Sequence, residues 1–477
     1  MSQIIRRLVL VIAVAAFAVI GVTVSRDRPT NVAAAFGTND QPPMPIAPTG
    51  DALTTSWFCP GVPAMVDRST GDGSITVLNP SDTPMSGNLT FFPGDGASVT
   101  RPLNVGARSQ AVVVPRDQAP AAFTGVLVEV YGTNAVAAQT TVTKAGWSST
   151  PCSTTASGSW YVAEGTTTVD STYHLLVLNP FPDDAIVDVS FAADDGFRGP
   201  TALQGWVVKA RSLRVVDVDA AVQRDQLVSA SVVARNGRVV VGRYQSLPYA
   251  PRKGLVATLA EPSAGSQWWF ADGQKGDGVA ERLILFNPLD TDASADVTVF
   301  PADPTTGDPV PLKYTVGAKQ RVEVDVSGID EVPAGPHSIT VATDPDHPVV
   351  AERVLDLVGA DRTATTVQAG SRIPASRWYL PIGAPPGGTN VVTVVNVTGV
   401  DTSVGVSTLS AAGQTPVAAL QNVQLAAGAA IQIPLQDHGI AGQPVVVTAD
   451  GQVVVEQLVV PAAGTPGAWS TLGVPVR

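Results

Sequence analysis

The chain repeats itself four times, and the length of the repeat decides what it can fold into. Trp57-Phe58-Cys59-Pro60 returns as Trp160-Tyr161-Val162-Ala163-Glu164-Gly165, then as Trp268-Trp269-Phe270-Ala271-Asp272-Gly273 and Trp378-Tyr379-Leu380-Pro381-Ile382-Gly383, at spacings of 103, 108 and 110 residues. A second motif follows each copy: Leu78-Asn79-Pro80, Leu178-Asn179-Pro180, Phe286-Asn287-Pro288 and Val395-Asn396-Val397, spaced by 100, 108 and 109 residues. A solenoid coil repeats at about 20–50 residues. The period here is that of a small domain with its own core. The expectation is four tandem units, like beads on a string, covering residues 53–157, 158–265, 266–375 and 376–477.

Within each unit, short runs of Val, Ile, Leu and Thr are broken by Gly, Pro, Asp and Asn, which is an all-β pattern. In the second unit the runs predict strands at 160–163, 174–178, 186–192, 206–209, 212–218, 227–234, 239–244 and 255–259. Asn236-Gly237 reads as a hairpin turn between two of them. That strand count points to four tandem immunoglobulin-like β-sandwich domains. A β-propeller with two blades per repeat is the alternative.

The first residues read as a targeting segment. Arg6 and Arg7 precede an uncharged stretch at 8–24, and Arg26 and Arg28 follow it. This length is the lower limit for spanning a bilayer and exceeds the usual apolar core of a signal peptide. Residues 1–7 are then a cytoplasmic tail, 8–24 a single-pass transmembrane anchor and 25–52 a Pro/Thr-rich spacer. The alternative is a cleaved signal with Ala33-Ala34-Ala35 as its processing site. Both place the repeats outside the cytoplasm.

Two cysteines, Cys59 and Cys152, mark the ends of the first unit. In an exported chain they predict a disulfide, which would bring the first and last strands of the unit together. The net charge of −12, with no Lys/Arg cluster beyond the N-terminus, argues against a nucleic-acid partner.

Trp-Tyr-Val-Ala-Glu-Gly at 160–165, Leu-Leu-Val-Leu-Asn-Pro at 175–180 and Val-Ala-Glu-Arg at 350–353 resemble a family of exported bacterial proteins of unknown function. That family is known by a Trp-Tyr-Phe-Ala-Glu-Gly repeat and is found in high-GC Gram-positive bacteria. The resemblance covers residues 53–477 and implies an extracytoplasmic β-rich protein, with no activity and no catalytic residues to carry over.

Hydrolase, metalloprotease, P-loop and dinucleotide motifs are absent from the sequence. Asp194-Asp195 reads as a solvated turn, and the acidic loops 272–277 and 344–346 lack the alternating ligand pattern of a calcium loop. The histidines His174, His337, His347 and His438 read as surface or packing residues. No catalytic residue, cofactor or metal site is expected. Trp57, Trp160, Trp268 and Trp378 recur in every unit and read as core. Their neighbours Phe58, Tyr161, Trp269 and Tyr379 point to the other face of the strand, where they would fill seams or meet a ligand. Tyr161, Trp269, Tyr379 and the unrepeated Trp206 are the candidate ligand-facing aromatics.

Aligning the units pairs Glu164 with Arg243 in the second and Asp272 with Arg353 in the third, while the first and fourth lack both charges. Two intradomain ion pairs, Glu164–Arg243 and Asp272–Arg353, are therefore expected. The resulting expectation is a non-enzymatic, membrane-anchored structural, scaffolding or binding protein of the cell envelope, its partner an envelope protein or a cell-wall glycan. A glycan-binding module is the alternative and a hydrolase the weakest reading.

Overall fold

Every repeat opens on a buried tryptophan, and the strands assemble around it. The computed structural model describes residues 42–50, 52–248, 252–359 and 363–476, and these are nearly all β, the one α-helix among them being Val218–Ala221. Repeat 1 has eight strands: β1 Thr54–Ala64, β2 Asp72–Asn79, β3 Met85–Pro93, β4 Val99–Val105, β5 Ser109–Val113, β6 Ala121–Tyr131, β7 Val136–Val142 and β8 Trp147–Pro151. They form two antiparallel sheets, ordered β1-β6-β3-β4 and β5-β2-β7-β8. Repeats 2 and 3 reproduce both sheets in the same order, repeat 2 with an extra short strand. In repeat 4 the counterparts of β6 and β7 run on as one strand, Val445–Val460, which joins the two sheets. No sheet closes into a barrel.

The recurring motifs have structural explanations. Trp57, Trp160, Trp268 and Trp378 are all fully buried. The indoles of Trp160, Trp268 and Trp378 also donate to backbone carbonyls of Val239, Val349 and Val453, so their polar edge is satisfied inside the core. The recurring asparagines are clamps. Each of Asn79, Asn179, Asn287 and Asn396 donates to the carbonyl four residues on (2.7–2.8 Å) and accepts from the amide two residues on (2.9–3.1 Å). The same Nδ2 also reaches a distant carbonyl: Gly106, Val208, Val316 or Ala426. One buried amide thus fixes the turn and ties it to the strand beyond.

Cys59 and Cys152 form a disulfide with Cα atoms 4.6 Å apart. The same strand ends meet in the other repeats. Phe58, Tyr161 and Trp269 donate to the carbonyls of Ser153, Glu261 and Ser371 at 2.7–3.0 Å, and Tyr379 faces Val474. The cystine position holds Val162 and Ala260 in repeat 2. In repeats 3 and 4 a bulky residue meets a glycine: a Cβ on Gly370 would lie 2.8 Å from Phe270, and one on Gly473 3.4 Å from Leu380.

Three expectations change. Asn236-Gly237 is not a hairpin turn: the strand Ser229–Asn236 lies in one sheet and Val240–Leu247 in the other. Gly237 supplies a positive φ (79°) where the chain crosses between sheets. Nor are the repeats beads on a string, since residues 42–476 form one body. Their closing strands (Trp147–Pro151, Gly254–Leu259, Thr363–Ala369 and Trp469–Leu472) touch in cyclic order, the fourth returning to the first. Ser148 Oγ exchanges hydrogen bonds with the backbone of Ala257 (3.0 and 3.1 Å). Lys253 N donates to Thr365 Oγ1 (3.0 Å), Ser470 Oγ donates to Gln368 Oε1 (2.7 Å), and the rings of Trp147 and Trp469 stack with centroids 6.3 Å apart. The ring is closed by all four seams.

The third change concerns the spacer. Its described part, from residue 42, is built into the ring: Met44, Ile46 and Ala47 are buried. Ala47 N donates to Pro475 O (2.8 Å), Ile46 N reaches Thr154 Oγ1 (3.4 Å) and Ser371 Oγ contacts Met44 Sδ (3.5 Å). Met44 and Pro45 cover a cavity of about 50 Å3 lined by all four closing strands. The stretch at 8–24 lies outside the described residues. Among the described residues no helix is long and apolar enough to cross a membrane.

Candidate functional site

The chemistry-bearing side chains gather at the seams between repeats. In a strand, successive residues face opposite sides of the sheet. On Val350–Val358 of repeat 3, Glu352 therefore faces back to repeat 2 and Arg353 forward to repeat 4. Glu352 accepts from Glu164 N (2.7 Å) and lies 3.1 Å from Arg243 Nη1. Arg243 also donates to the Glu164 carbonyl and to Thr258 Oγ1. At the next seam Glu456 accepts from Ala271 N (2.9 Å) and Asp272 N (3.0 Å), and pairs with Arg353 at 2.8 Å.

These contacts revise the expected ion pairs. Arg243 does reach Glu164 Oε2, at 3.5 Å, but its nearer carboxylate belongs to repeat 3, and Glu164 also pairs with Arg252. Between Asp272 and Arg353 no ion pair forms. Asp272 accepts instead from Thr393 Oγ1 (2.7 Å) and Gln432 Nε2 (3.1 Å) of repeat 4. The nearer partner of Arg353 is the glutamate that the following repeat inserts into the seam, at 2.8 Å, while Glu281 of its own repeat lies 3.8 Å away. Glu164, Arg243, Asp272, Glu352, Arg353 and Glu456 are each at most 3% exposed. Burial drives the Glu164 carboxyl up, but Arg252 and Arg243 outweigh it and hold it below the usual carboxylate range. For Glu352 and Glu456 burial wins over the arginines and their acidity falls.

The other two seams carry no such pair. Where Glu352 and Glu456 stand, repeat 2 has Gly242 and repeat 1 has Ala138. A Cβ on Gly242 would lie 2.6 Å from Pro60 Cγ, so the proline ring fills that space. The position of Arg243 and Arg353 is held by Gln457 in repeat 4, which donates to Ile382 O (2.9 Å), and by Gln139 in repeat 1.

Three of the four candidate ligand-facing aromatics pack against other groups of the chain, Tyr161 and Trp206 remaining partly exposed. Tyr161 meets the ring of Phe286 edge-on (6.4 Å). Tyr379 is 4% exposed and joins the core of repeat 1, with Arg377 over its ring (5.4 Å). Trp206 packs on the repeat 2 core under Arg214 (4.9 Å). Trp269 differs. With Phe270, Phe300, Thr340, Val395 and Thr398 it lines a cavity of about 260 Å3 at the seam of repeats 3 and 4.

One grouping escaped sequence reasoning. His174 lies directly opposite Asp217 across two strands, and with Asp219 their ligand atoms fall within 4.8 Å of one another. Both acids already have structural duties: Asp217 caps the short helix through Ala220 N, and Asp219 accepts from Tyr173 N (2.6 Å). His174 packs between Phe123 and Tyr244, and its pKa is lowered chiefly by burial. A cross-strand register, which motif spacing does not reveal, brings these residues together.

Residues 116–241 match a family model described as a family of unknown function (DUF5719). The match takes in the last three strands of repeat 1 and most of repeat 2, with His174, Trp206 and the Glu164 motif. No curated protein matches the chain. Among solved structures, a Thermotoga maritima protein is 20% identical, with 23% of this chain and 95% of that one aligned and a TM-score of 0.21. The Anabaena sensory rhodopsin transducer is 21% identical over 19% and 83% of the two chains, with a TM-score of 0.17. A Streptomyces avermitilis alpha-L-rhamnosidase is 10% identical over 72% and 45%, with a TM-score of 0.14. At these scores none carries a functional argument.

At the mouth of the ring, Glu261 is 8% exposed beside the axial cavity. Burial pushes its pKa up to about 8, with Arg372 opposing. A carboxyl with a raised folded-state pKa favours folding below its unfolded value and loses that contribution as pH rises through the folded one. Stability is therefore expected to fall between about pH 4.5 and 8, by at most about 1.4 kcal/mol per pH unit from this group. Glu261→Gln should flatten that slope and raise the melting temperature at pH 8. Thermal melts across this range check it, and an unchanged slope would count against the buried carboxyl as its source.

Proposed function

We propose that this chain is a non-enzymatic structural, scaffolding or binding protein of the cell envelope, built from four immunoglobulin-like sandwiches and held by the stretch at 8–24 with its repeats outside the cytoplasm. The observation that carries the reading is where the charged groups go. Glu164, Arg243, Glu352, Arg353 and Glu456 are at most 1% exposed, and Glu352 and Glu456 reach across a seam to the arginine and the backbone amides of the preceding repeat. A hydrolase needs carboxyls that a substrate can reach, whereas these stiffen a ring. Two sheets in each of repeats 1–3, sharing a core in repeat 2, support the sandwich description. The glycan-binding reading has one observation in its favour, the partly exposed Trp269 beside a cavity.

Fractionation of native cells and pull-down from the envelope, with and without glycan digestion, test the proposal. Membrane-bound protein that retains a protein partner after digestion is the expected result. A soluble form beginning at Phe36 would replace the anchor by a cleaved signal. Capture lost on digestion would favour the glycan module. Turnover of envelope material by the purified chain would overturn the non-enzymatic reading.

A further inference from the structure

The cavity at the seam of repeats 3 and 4 becomes informative when the four seams are laid over one another. At the seam of repeats 1 and 2 the same positions hold Phe58, Phe92, Leu127, Leu178 and Phe181, which cluster in one apolar core. The rings of Phe58 and Phe181 are 6.4 Å apart. Repeats 2 and 3 fill the spot with Tyr161 against Phe286, and repeats 4 and 1 with Tyr379, Leu409, Val446 and Leu78. At the seam of repeats 3 and 4 the aromatic wall survives as Trp269 and Phe300, but its fillers shrink. Leu127, Leu178 and Phe181 become Thr340, Val395 and Thr398. Gly428, which lines the slot, stands where the other repeats have Arg108, Arg211 or Lys319. The result is an open slot of about 260 Å3 lined by the aromatic residues Trp269, Phe270 and Phe300.

We infer that this slot is a binding site for an aromatic side chain of a partner polypeptide, received where Phe181 sits in the first seam. Internal symmetry identifies the occupant. The same wall, on the same strands, closes over a phenylalanine ring supplied by the chain itself at one seam and lacks it at the other. Aromatic pairs favour offset or edge-on contact in addition to the area they bury, and one aromatic anchor in a preformed pocket is what dominates many protein interfaces. The inference goes beyond the scaffold reading and stands whether or not the chain is membrane-anchored.

The test uses the full chain labelled with 5-fluorotryptophan, the Trp269 resonance being assigned by its loss in Trp269→Phe. N-acetyl-L-phenylalaninamide should shift that resonance saturably, with a Kd on the order of millimolar for a single side chain, and leave the other indoles in place. Two variants should block it. Thr398→Phe supplies the missing ring from within. Gly428→Arg restores the long side chain of the other repeats, at a backbone position (φ 71°) where Arg108, Arg211 and Lys319 sit at 46–55° and which arginine therefore tolerates. Each should weaken binding at least tenfold while the remaining tryptophan resonances report an unchanged fold; should one variant misfold, the other decides. A shift with the N-acetylglucosamine trimer and none with the amide would overturn the inference in favour of glycan. It also fails if neither probe binds, or if a folded blocking variant binds as the wild type does.

Discussion

Arg353→Met should destabilise the ring by about 3–5 kcal/mol, the cost of leaving buried carboxylates without their cation. Glu456 would keep its two backbone donors, Ala271 N and Asp272 N, but lose the guanidinium at 2.8 Å. Asp272 and Glu281 lie in the same charged neighbourhood. The double variant Arg353→Met/Glu456→Gln should recover part of the loss, because it removes cation and anion together. A double-mutant cycle in urea measures the coupling. Since one residue belongs to repeat 3 and the other to repeat 4, non-additivity reads the seam itself. Additive effects would mean that the pair does not join the repeats.

Removing the disulfide is the second large effect expected. Cys59 and Cys152 enclose a separation of 93 residues, for which the chain-entropy model gives about 4–5 kcal/mol of stabilisation. Cys59→Ala/Cys152→Ala leaves two buried positions, and the other repeats indicate what fits there. A Cys59→Val/Cys152→Ala variant copies repeat 2 and should lose less than the Ala/Ala variant, since it restores packed volume though not the cross-link. Urea unfolding of the three proteins checks the order. Equal stability of the cross-linked and Ala/Ala proteins would show that the ring, and not the bond, holds repeat 1.

Much of this architecture is legible in the sequence because it is local and repeated. Period-2 runs gave the strands of repeat 2 to within a few residues, the recurring Trp read as core, and the two cysteines marked strand ends that meet. What is not legible depends on contacts between repeats. Comparing the repeats singled out Arg243 and Arg353 and looked for their acids within the same repeat. The nearer acids, Glu352 and Glu456, stand one residue earlier on the same strand of the following repeat, about one whole period away, while the same-repeat acids Glu164 and Glu281 lie farther off. Asn236-Gly237 misled for a related reason: a dipeptide signals a turn, not whether the next strand stays in the sheet. The slot beside Trp269 is a matter of absent volume, visible only after the seams are superimposed.

The alternation of Glu and Arg along one strand has a further consequence. Four units of one fold in a single chain invite wrong neighbours during folding. Read as back-facing and forward-facing residues, the repeats carry Ala138/Gln139, Gly242/Arg243, Glu352/Arg353 and Glu456/Gln457. Forward arginine meets backward glutamate at two successive junctions, and neutral meets neutral at the other two. Repeat 3 docked behind repeat 1 would bury Glu352 against Gln139, and repeat 4 docked there would bury Glu456 against it. Each such error buries an uncompensated charge at a cost of several kcal/mol, so the pattern acts as an address that permits one order of assembly around the ring.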